Sequence, residues 1–447
     1  MGFAPISSPQ MKRPLERSAG RERRDCPSIM VNAKHDTRSY ESTSDGERGY
    51  QREIFDGNVL YEGYLRAKQG SDWKPQVQKF EMNYLCEIAA LQRELESGNY
   101  NFQPSTEFTL HERGKVRRIT GEQIRDRVSK HALCDEILTP SVRKYLIYDN
   151  SASIQDKGID FARKRLLTHL RKYYRQHGSN DGYILLIDFS KYYDNIQHDK
   201  LMAQFEKYIH DKQALDFLRA VIDRSKVDVS YMTDDEYAGC MDRVFNSLYY
   251  QSVDRSLLTG EKFMEKHLNI GDQVAQIAGI IYPIPIDNYV KIVKGVKFYG
   301  RYMDDSYAIH ESKEFLEELL AGIIAIAKSL GITVNTKKTH ICKLSSLWRF
   351  LQVQYSLTDT GRVIQKINPK RLTTMRRKMK KVVYILPEVE FTNWYCSWFR
   401  NHYKIMSKHQ RENIEKLYHD LKKEVYQDVH NHSEQRNEAE KPGTQRQ

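Results

Sequence analysis

The stretch Val296-Lys-Phe-Tyr-Gly-Arg-Tyr-Met-Asp-Asp-Ser-Tyr-Ala-Ile309 sets two adjacent carboxylates, Asp304 and Asp305, between two short runs of β-branched and aromatic residues. That pattern predicts a tight β-hairpin with acids in its turn. Adjacent aspartates repel, so the turn is either exposed and screened by water or neutralised by a cation. Upstream, Tyr183-Ile-Leu-Leu-Ile-Asp188 is a continuous apolar run ending on an acid, which predicts a buried strand delivering a carboxylate at its end. A buried charge without a partner is costly. If this strand lies beside the hairpin, Asp188, Asp304 and Asp305 converge and can hold two hard cations about 3.5–4 Å apart. Two such ions lower the pKa of an attacking hydroxyl, clamp a transferred phosphoryl group and neutralise a leaving pyrophosphate.

The box Tyr302-Met303-Asp304-Asp305, with Asp188 before it, resembles the palm motifs of reverse transcriptases. It is most similar to bacterial and phage enzymes related to group II intron reverse transcriptases, over roughly residues 60 to 430 and with most motifs in order. The resemblance implies an α+β, right-hand polymerase fold: fingers and palm over 58–365, the palm an antiparallel sheet with helices, and a basic helical thumb over 366–428. It implies RNA-directed DNA polymerase activity, with Asp188, Asp304 and Asp305 as metal ligands, the Phe189 carbonyl as a further one, and Mg2+ as the cofactor, Mn2+ being a substitute. An RNA template, a DNA primer or product and dNTPs are the implied partners, joined in some relatives by a structured non-coding RNA and an accessory protein. An RNA-dependent RNA polymerase and a nucleic-acid-binding scaffold with an inactive palm are the alternatives. Tyr193 and Met303 argue against the first, and the three intact acids argue against the second.

Further site residues follow from the same resemblance. The hairpin Phe108 to Ile119, turning at Gly114, carries a basic returning limb. In the family it is the fingers hairpin, whose cations meet the incoming triphosphate; Lys115 and Arg118 occupy those places, with Arg117 an alternative. Arg127 stands in the following Asp-Arg pair and is expected on nucleic acid. Asn150 to Phe161, with Lys157-Gly158, looks like the loop near the template strand. Tyr193, five residues past Asp188, takes the place of the bulky residue that excludes a 2′-hydroxyl, although Tyr192 is the other candidate for the inward face. Ile270-Gly271-Asp-Gln-Val-Ala275-Gln276 is similar to the segment packed against template and nascent base pair, with Gly271 on nucleic acid and Gln276 on the dNTP. Its wording is nearer the Gly-x-x-x-Ser-Gln form of diversity-generating, abortive-infection and unclassified bacterial enzymes, with alanine replacing the serine. Tyr302 and Met303 are expected to touch nucleic acid. Lys338, in Asn335-Thr-Lys-Lys-Thr339, is the candidate general acid for the leaving pyrophosphate. Trp348 to Gln352 resembles the primer-grip turn, with Gln352 where the family has glycine.

The rest is read from pattern. Lysine and arginine number 71 against 59 acids, a net charge of +12, which favours a polyanionic partner. Six cysteines are scattered without zinc spacing, which predicts reduced thiols in a cytoplasmic protein. No apolar stretch reaches the roughly 20 residues of a membrane span. Residues 1–57 and 429–447 have the polar composition of disordered segments. One helix is predicted through Phe80, Tyr84, Ile88, Leu91 and Leu95, and another from Phe315 to Gly331. Residues 199–268 are expected to be mostly helical, with Tyr231 to Glu236 an acidic surface turn imitating the catalytic box. Asn368-Pro369 starts a helix with Leu372, Met375, Met379 and Val382 on one face. Its other faces carry cations without an acid, of which Arg371, Arg376 and Lys380 are expected to grip a nucleic-acid backbone. The aromatic stretch Trp394 to Phe399 is expected to be core.

Overall fold

The computed structural model describes residues 54–112, 115–248 and 253–427. Of the segments predicted to be disordered, residues 1–53 and 429–447 lie outside them, as does the hairpin tip Arg113-Gly114. Residues 54–57, at the end of the segment predicted to be disordered, are described. Ile54 and Phe55 are buried, Phe55 meets Phe217 edge-on at 5.3 Å, and Asp56 caps α1 (Gly57–Lys68) by accepting from the Asn58 amide at 2.8 Å. The single helix predicted next is two. Asn83, at φ −131° and ψ 28°, separates α2 (Pro75–Met82) from α3 (Tyr84–Glu96), because a residue outside helical φ/ψ interrupts the i to i−4 ladder. Phe80, Ile88, Leu91 and Leu95 are buried all the same.

β1 (Thr106–Glu112) and β2 (Lys115–Gly121) form the basic hairpin, with Phe108 across from Ile119. After α4 (Ile124–Leu133), α5 (Thr139–Arg143) and the long α6 (Ile159–His177) comes β3 (Tyr183–Ile187). The next stretch is less helical than expected: α7 (His198–Phe205) and α8 (Lys212–Asp223) lead into a short pair, β4 (Val227–Asp228) with β5 (Phe263–Met264), around α9 (Asp234–Asp242). A small core of Val229, Met232, Phe245 and Met264 holds that region together. The predicted acidic turn is a helix start instead. Thr233 and Glu236 form a reciprocal capping box, and the acids of α9's first turn complement the helix dipole.

The chain then runs through α10 (Gln273–Ile281) and α11 (Ile284–Asn288) into β6 (Phe298–Tyr302) and β7 (Asp305–His310), then α12 (Lys313–Ser329) and β8 (His340–Lys343). The central sheet is antiparallel in the order β6-β7-β3-β8. Alternate residues serve two cores. Leu185, Ile187, Tyr299 and Ala308 join the helical core that includes Ile281, Leu319 and Ile323. Ile184, Leu186, Phe298, Tyr307 and Ile309 meet Leu166, Leu170 and Tyr173 of α6 on the opposite face. Burial on both faces is why β3 reads as an unbroken apolar run.

Beyond the sheet, β9 (Trp348–Phe350), β10 (Val353–Leu357) and β11 (Val363–Ile367) make a small antiparallel sheet. α13 (Pro369–Val382), α14 (Glu388–His402) and α15 (Lys408–Lys422) close around their own core, in which Tyr395 and Tyr418 stack at 3.9 Å. Asn368 caps α13 through the Lys370 amide at 2.9 Å, with Pro369 in its first turn. The described residues thus form an α+β fold, and no helix among them is long and apolar enough to cross a membrane.

Candidate active site

The β6–β7 hairpin closes on the pair Tyr302 and Asp305, which leaves Met303 and Asp304 at the tip. Met303 takes φ +55°, a left-handed conformation that costs a non-glycine residue on the order of 1–3 kcal/mol and has to be held. Arg301 holds it. Its guanidinium donates to the Met303 carbonyl at 3.3 Å and to the Ile280 carbonyl at 2.9 Å. It also grips Asp287 at two points, 2.9 and 2.6 Å, with both side chains almost wholly buried. Tyr299 donates to the same carboxylate at 2.7 Å, so the buried pair has its hydrogen bonds satisfied.

Ile187 of β3 stands across from Ser306 of β7. The ladder ends there, with Asp188 following Ile187 and Asp305 preceding Ser306, so the two acids stand at the same end of adjoining strands. Asp188 is close to fully buried and anchored by its backbone: its carbonyl accepts from the Asn335 amide at 2.8 Å and its amide donates to Thr339 Oγ1 at 3.2 Å. Its carboxylate accepts from Lys338 Nζ at 2.6 and 2.7 Å and from Asn335 Nδ2 at 3.0 Å. Phe189 sits opposite Val334 in an isolated bridge. Hard oxygen donors at the adjoining ends of β3 and β7 are of the kind a divalent cation takes. Among the described residues no three acid, histidine or cysteine side chains are drawn around one point. Lys338 supplies Asp188 with its positive charge instead.

Of the two tyrosines, Tyr192 is 4 % exposed and donates to the Gly279 carbonyl at 2.9 Å. Tyr193 faces the hairpin, its hydroxyl 3.6 Å from Met303 Sδ. Burial, then the Asp304 charge, pushes the Tyr193 phenol well up and keeps it protonated. A Cβ on Gly279 would lie 2.7 Å from the Tyr193 hydroxyl, so only glycine leaves room for the ring. At the start of α10, Asp272 caps the Val274 amide at 2.8 Å and meets Lys130 Nζ at 2.6 Å, while Lys130 also reaches Glu122. This buried triad joins the end of the basic hairpin to α10. Gly271, at φ +115°, lies beside it, where a Cβ would come 3.2 Å from the Thr120 carbonyl. Gln276 points outward from α10, its Oε1 3.4 Å from Ser153 Oγ.

Residues 113–355, more than half the chain, match the family model described as reverse transcriptase (RNA-dependent DNA polymerase). This chain belongs to the reverse transcriptase family. No curated protein matches it closely enough to be named. The protein is therefore a nucleotidyltransferase, and membership implies an RNA template, a DNA primer and dNTPs as substrates, with divalent metal ions in general use.

The remaining predicted residues of this reverse transcriptase are placed unevenly. Arg118 reaches across the β1–β2 hairpin to Glu107 and lines a cleft of about 400 Å³ with Phe108, Arg224 and Lys226. The Lys115 side chain lies outside the described atoms. Arg127, expected on nucleic acid, is turned the other way: it donates to Ser71 Oγ at 3.0 Å and to the Ala67 carbonyl, where the carbonyl end of α1 attracts a cation. On α13, Lys380 is exposed while Arg371 and Arg376 are half-buried beside the apolar stripe. The turn after β9 holds Leu351 and Gln352 at φ +42° and +72°, so glutamine occupies a position that favours glycine. Arg301, Asp287, Asn335 and Lys130 were not singled out in sequence. For the first two the available signal was a charge inside an apolar run, at Arg301 in β6 and at Asp287 in Pro-Ile-Pro-Ile-Asp.

Proposed function

We propose that this reverse transcriptase extends a primer 3′-hydroxyl on an RNA template with dNTPs at the junction of β3 and the β6–β7 hairpin. The observation that supports it most is the β3–β7 ladder, whose last pair Ile187–Ser306 adjoins Asp188 on one strand and Asp305 on the other, with Asp304 next in the chain. In this reading the three carboxylates and the Phe189 carbonyl hold two Mg2+ ions. Bound there, the ions supply an acidified attacking hydroxyl and a clamp on the phosphoryl group. The primer oxygen attacks the α-phosphorus in line, and the bond to the pyrophosphate oxygen breaks. Lys338 leaves Asp188 to give its proton to that leaving oxygen. Tyr193, fixed between Gly279 and Met303, bars a 2′-hydroxyl by contact. Arg301 holds the hairpin tip at the geometry the acids need.

We assign residues 58–365 to fingers and palm, with Lys115 and Arg118 on the triphosphate and Gln276 and Gly271 beside the nascent pair. We assign 366–428 to a thumb whose Arg371, Arg376 and Lys380 meet the duplex backbone. The lineage favoured by Gly271 and Gln276 is the defence-type and diversity-generating branch related to group II intron enzymes. The test is incorporation of dNTPs against rNTPs on a primed RNA template with Mg2+, in wild type and in Asp304→Asn/Asp305→Asn. Incorporation of dNTPs that vanishes in the double variant supports the reading; preferential rNTP incorporation would transfer the site to RNA synthesis.

A further inference from the structure

Away from the carboxylates, α6 and the segment leading into β6 enclose a groove of about 740 Å³. One wall is α6, whose Arg165, His169, Lys172 and Gln176 follow one another at helical spacing, with Arg175 alongside. The other wall carries Lys291 and Lys297, just before Phe298. Phe298 begins β6 at the end opposite the Met303–Asp304 tip, so that edge of the groove lies roughly 15–20 Å from the acids along the strand, while Asp149 on another side accepts from the Arg301 amide at 3.1 Å.

Its charge is unbalanced. Asp149 is the only carboxylate in the lining, and it is buried and occupied, facing Arg165 and His169. Lys291 Nζ is tied to the Val296 and Lys297 carbonyls at 3.0 Å each. Arg165 lies over the ring of Tyr148, 5.0 Å from its centroid, at the mouth. Lys172, Arg175 and Lys297 are exposed and have no carboxylate partner among the described residues. A basic helix face is ordinarily just solvated. Here the cations face one another across a concavity, which focuses their field on whatever enters. Lys172 and Arg175 on α6 and Lys297 on the facing wall leave three exposed cations around one groove, more than a single phosphate needs and suited to a strand with several.

We propose that this groove is a second nucleic-acid site, which takes the phosphodiester backbone of unpaired RNA on Lys172, Arg175 and Lys297 while the active site holds the primer duplex. A cavity of this volume admits a few nucleotides of single strand and excludes a helix. RNA is the polyanion this family brings to the protein, and a template has unpaired nucleotides beyond its primed end. The proposal rests on family membership.

The experiment uses the full chain with its cleft filled by an excess of an unlabelled minimal primer–template. Binding of a fluorescent, unstructured 30-nucleotide RNA is then followed by anisotropy across a salt series. Wild type is compared with Lys172→Glu/Arg175→Glu/Lys297→Glu, whose three positions are exposed. The expected result is at least a tenfold loss of RNA affinity, with the salt slope falling by about 2 for three lost phosphate contacts. Single-nucleotide extension of the minimal primer should stay at the wild-type rate, which also shows that the variant folds. Unchanged RNA affinity and slope would overturn the proposal. So would binding of a DNA 30-mer through these residues when the RNA does not bind.

Discussion

Lys338 Nζ lies 2.6 Å from the Asp188 carboxylate, so the acid that ends the central strand is neutralised by a lysine of its own chain. The same oxygens are those proposed to bind a divalent ion, and one carboxylate cannot serve both fully. The contact is half exposed on the lysine side, which limits it to about 1 kcal/mol. Lys338→Ala is expected to raise the affinity for Mn2+ several-fold in calorimetric titration of the protein without nucleic acid. The same change should slow dNTP addition about a hundredfold if the lysine is the acid. Weaker Mn2+ binding in the variant would remove the competition.

Arg301 and Asp287 form a buried pair whose arginine also holds the Met303 carbonyl. Removing one partner leaves a buried charge alone, so Arg301→Ala should cost about 3–5 kcal/mol in urea unfolding. Arg301→Lys keeps the charge and loses the two-point grip. It is expected to lower kcat while leaving the dNTP KM within about twofold, because it loosens the hairpin tip and not the dNTP contacts.

Tyr193 is the tyrosine that faces Met303, and Tyr192 is core. Tyr193→Ala should reduce discrimination between dNTP and rNTP by roughly 10–100-fold in kcat/KM, the range for loss of a steric contact. Tyr192→Phe removes only the bond to the Gly279 carbonyl. It should cost about 1 kcal/mol of stability and leave the discrimination unchanged. The reverse outcome would exchange the two roles.

Hydrogen bonds from His169 and Arg165 outweigh burial and bring the Asp149 carboxyl down to about 2 from its ordinary 3.8. A depressed carboxylate stabilises the fold fully above its unfolded pKa and loses that contribution as pH falls through the folded one. The stabilisation, on the order of 2 kcal/mol, is therefore complete above about pH 4 and declines toward pH 2. Asp149→Asn should be less stable at pH 7 in guanidinium unfolding. Its deficit should shrink from pH 4 to pH 3; a constant deficit would contradict the linkage.

Gln352 holds φ +72° in the turn between β9 and β10. Gln352→Gly relieves a left-handed conformation that costs an L-residue about 1–2 kcal/mol, partly offset by the entropy glycine adds to the unfolded chain. A gain of about 0.5–1 kcal/mol is expected in thermal or urea unfolding. A loss would mean that the glutamine side chain makes a contact worth more than the strain.

Much of the scaffold is legible in the sequence because it is carried by neighbours in the chain. The apolar run into Asp188, the hairpin around Met303-Asp304, the helix from Lys313 to Ser329 before Gly331 and the Asn368-Pro369 start of α13 all appear where period, turn and capping chemistry place them. These are short-range preferences of backbone and side chain, and burial on both sheet faces only reinforces them. Family membership is likewise carried by motifs that each occupy a few consecutive residues.

Tertiary structure decided the partners. The order β6-β7-β3-β8 brings the end of β3 alongside the start of β7 and the Lys338 loop onto Asp188, and no local pattern encodes that Lys338 would neutralise it. The same holds for Arg301 with Asp287, for Lys130 with Asp272, and for the turn of Tyr193, not Tyr192, toward the hairpin. The break at Asn83 and the capping box that starts α9 lie within single stretches of chain, where helical period alone does not mark them. A charge finds its partner through space, and its worth depends on how far burial strips it of water. Neither quantity exists until the strands have been ordered.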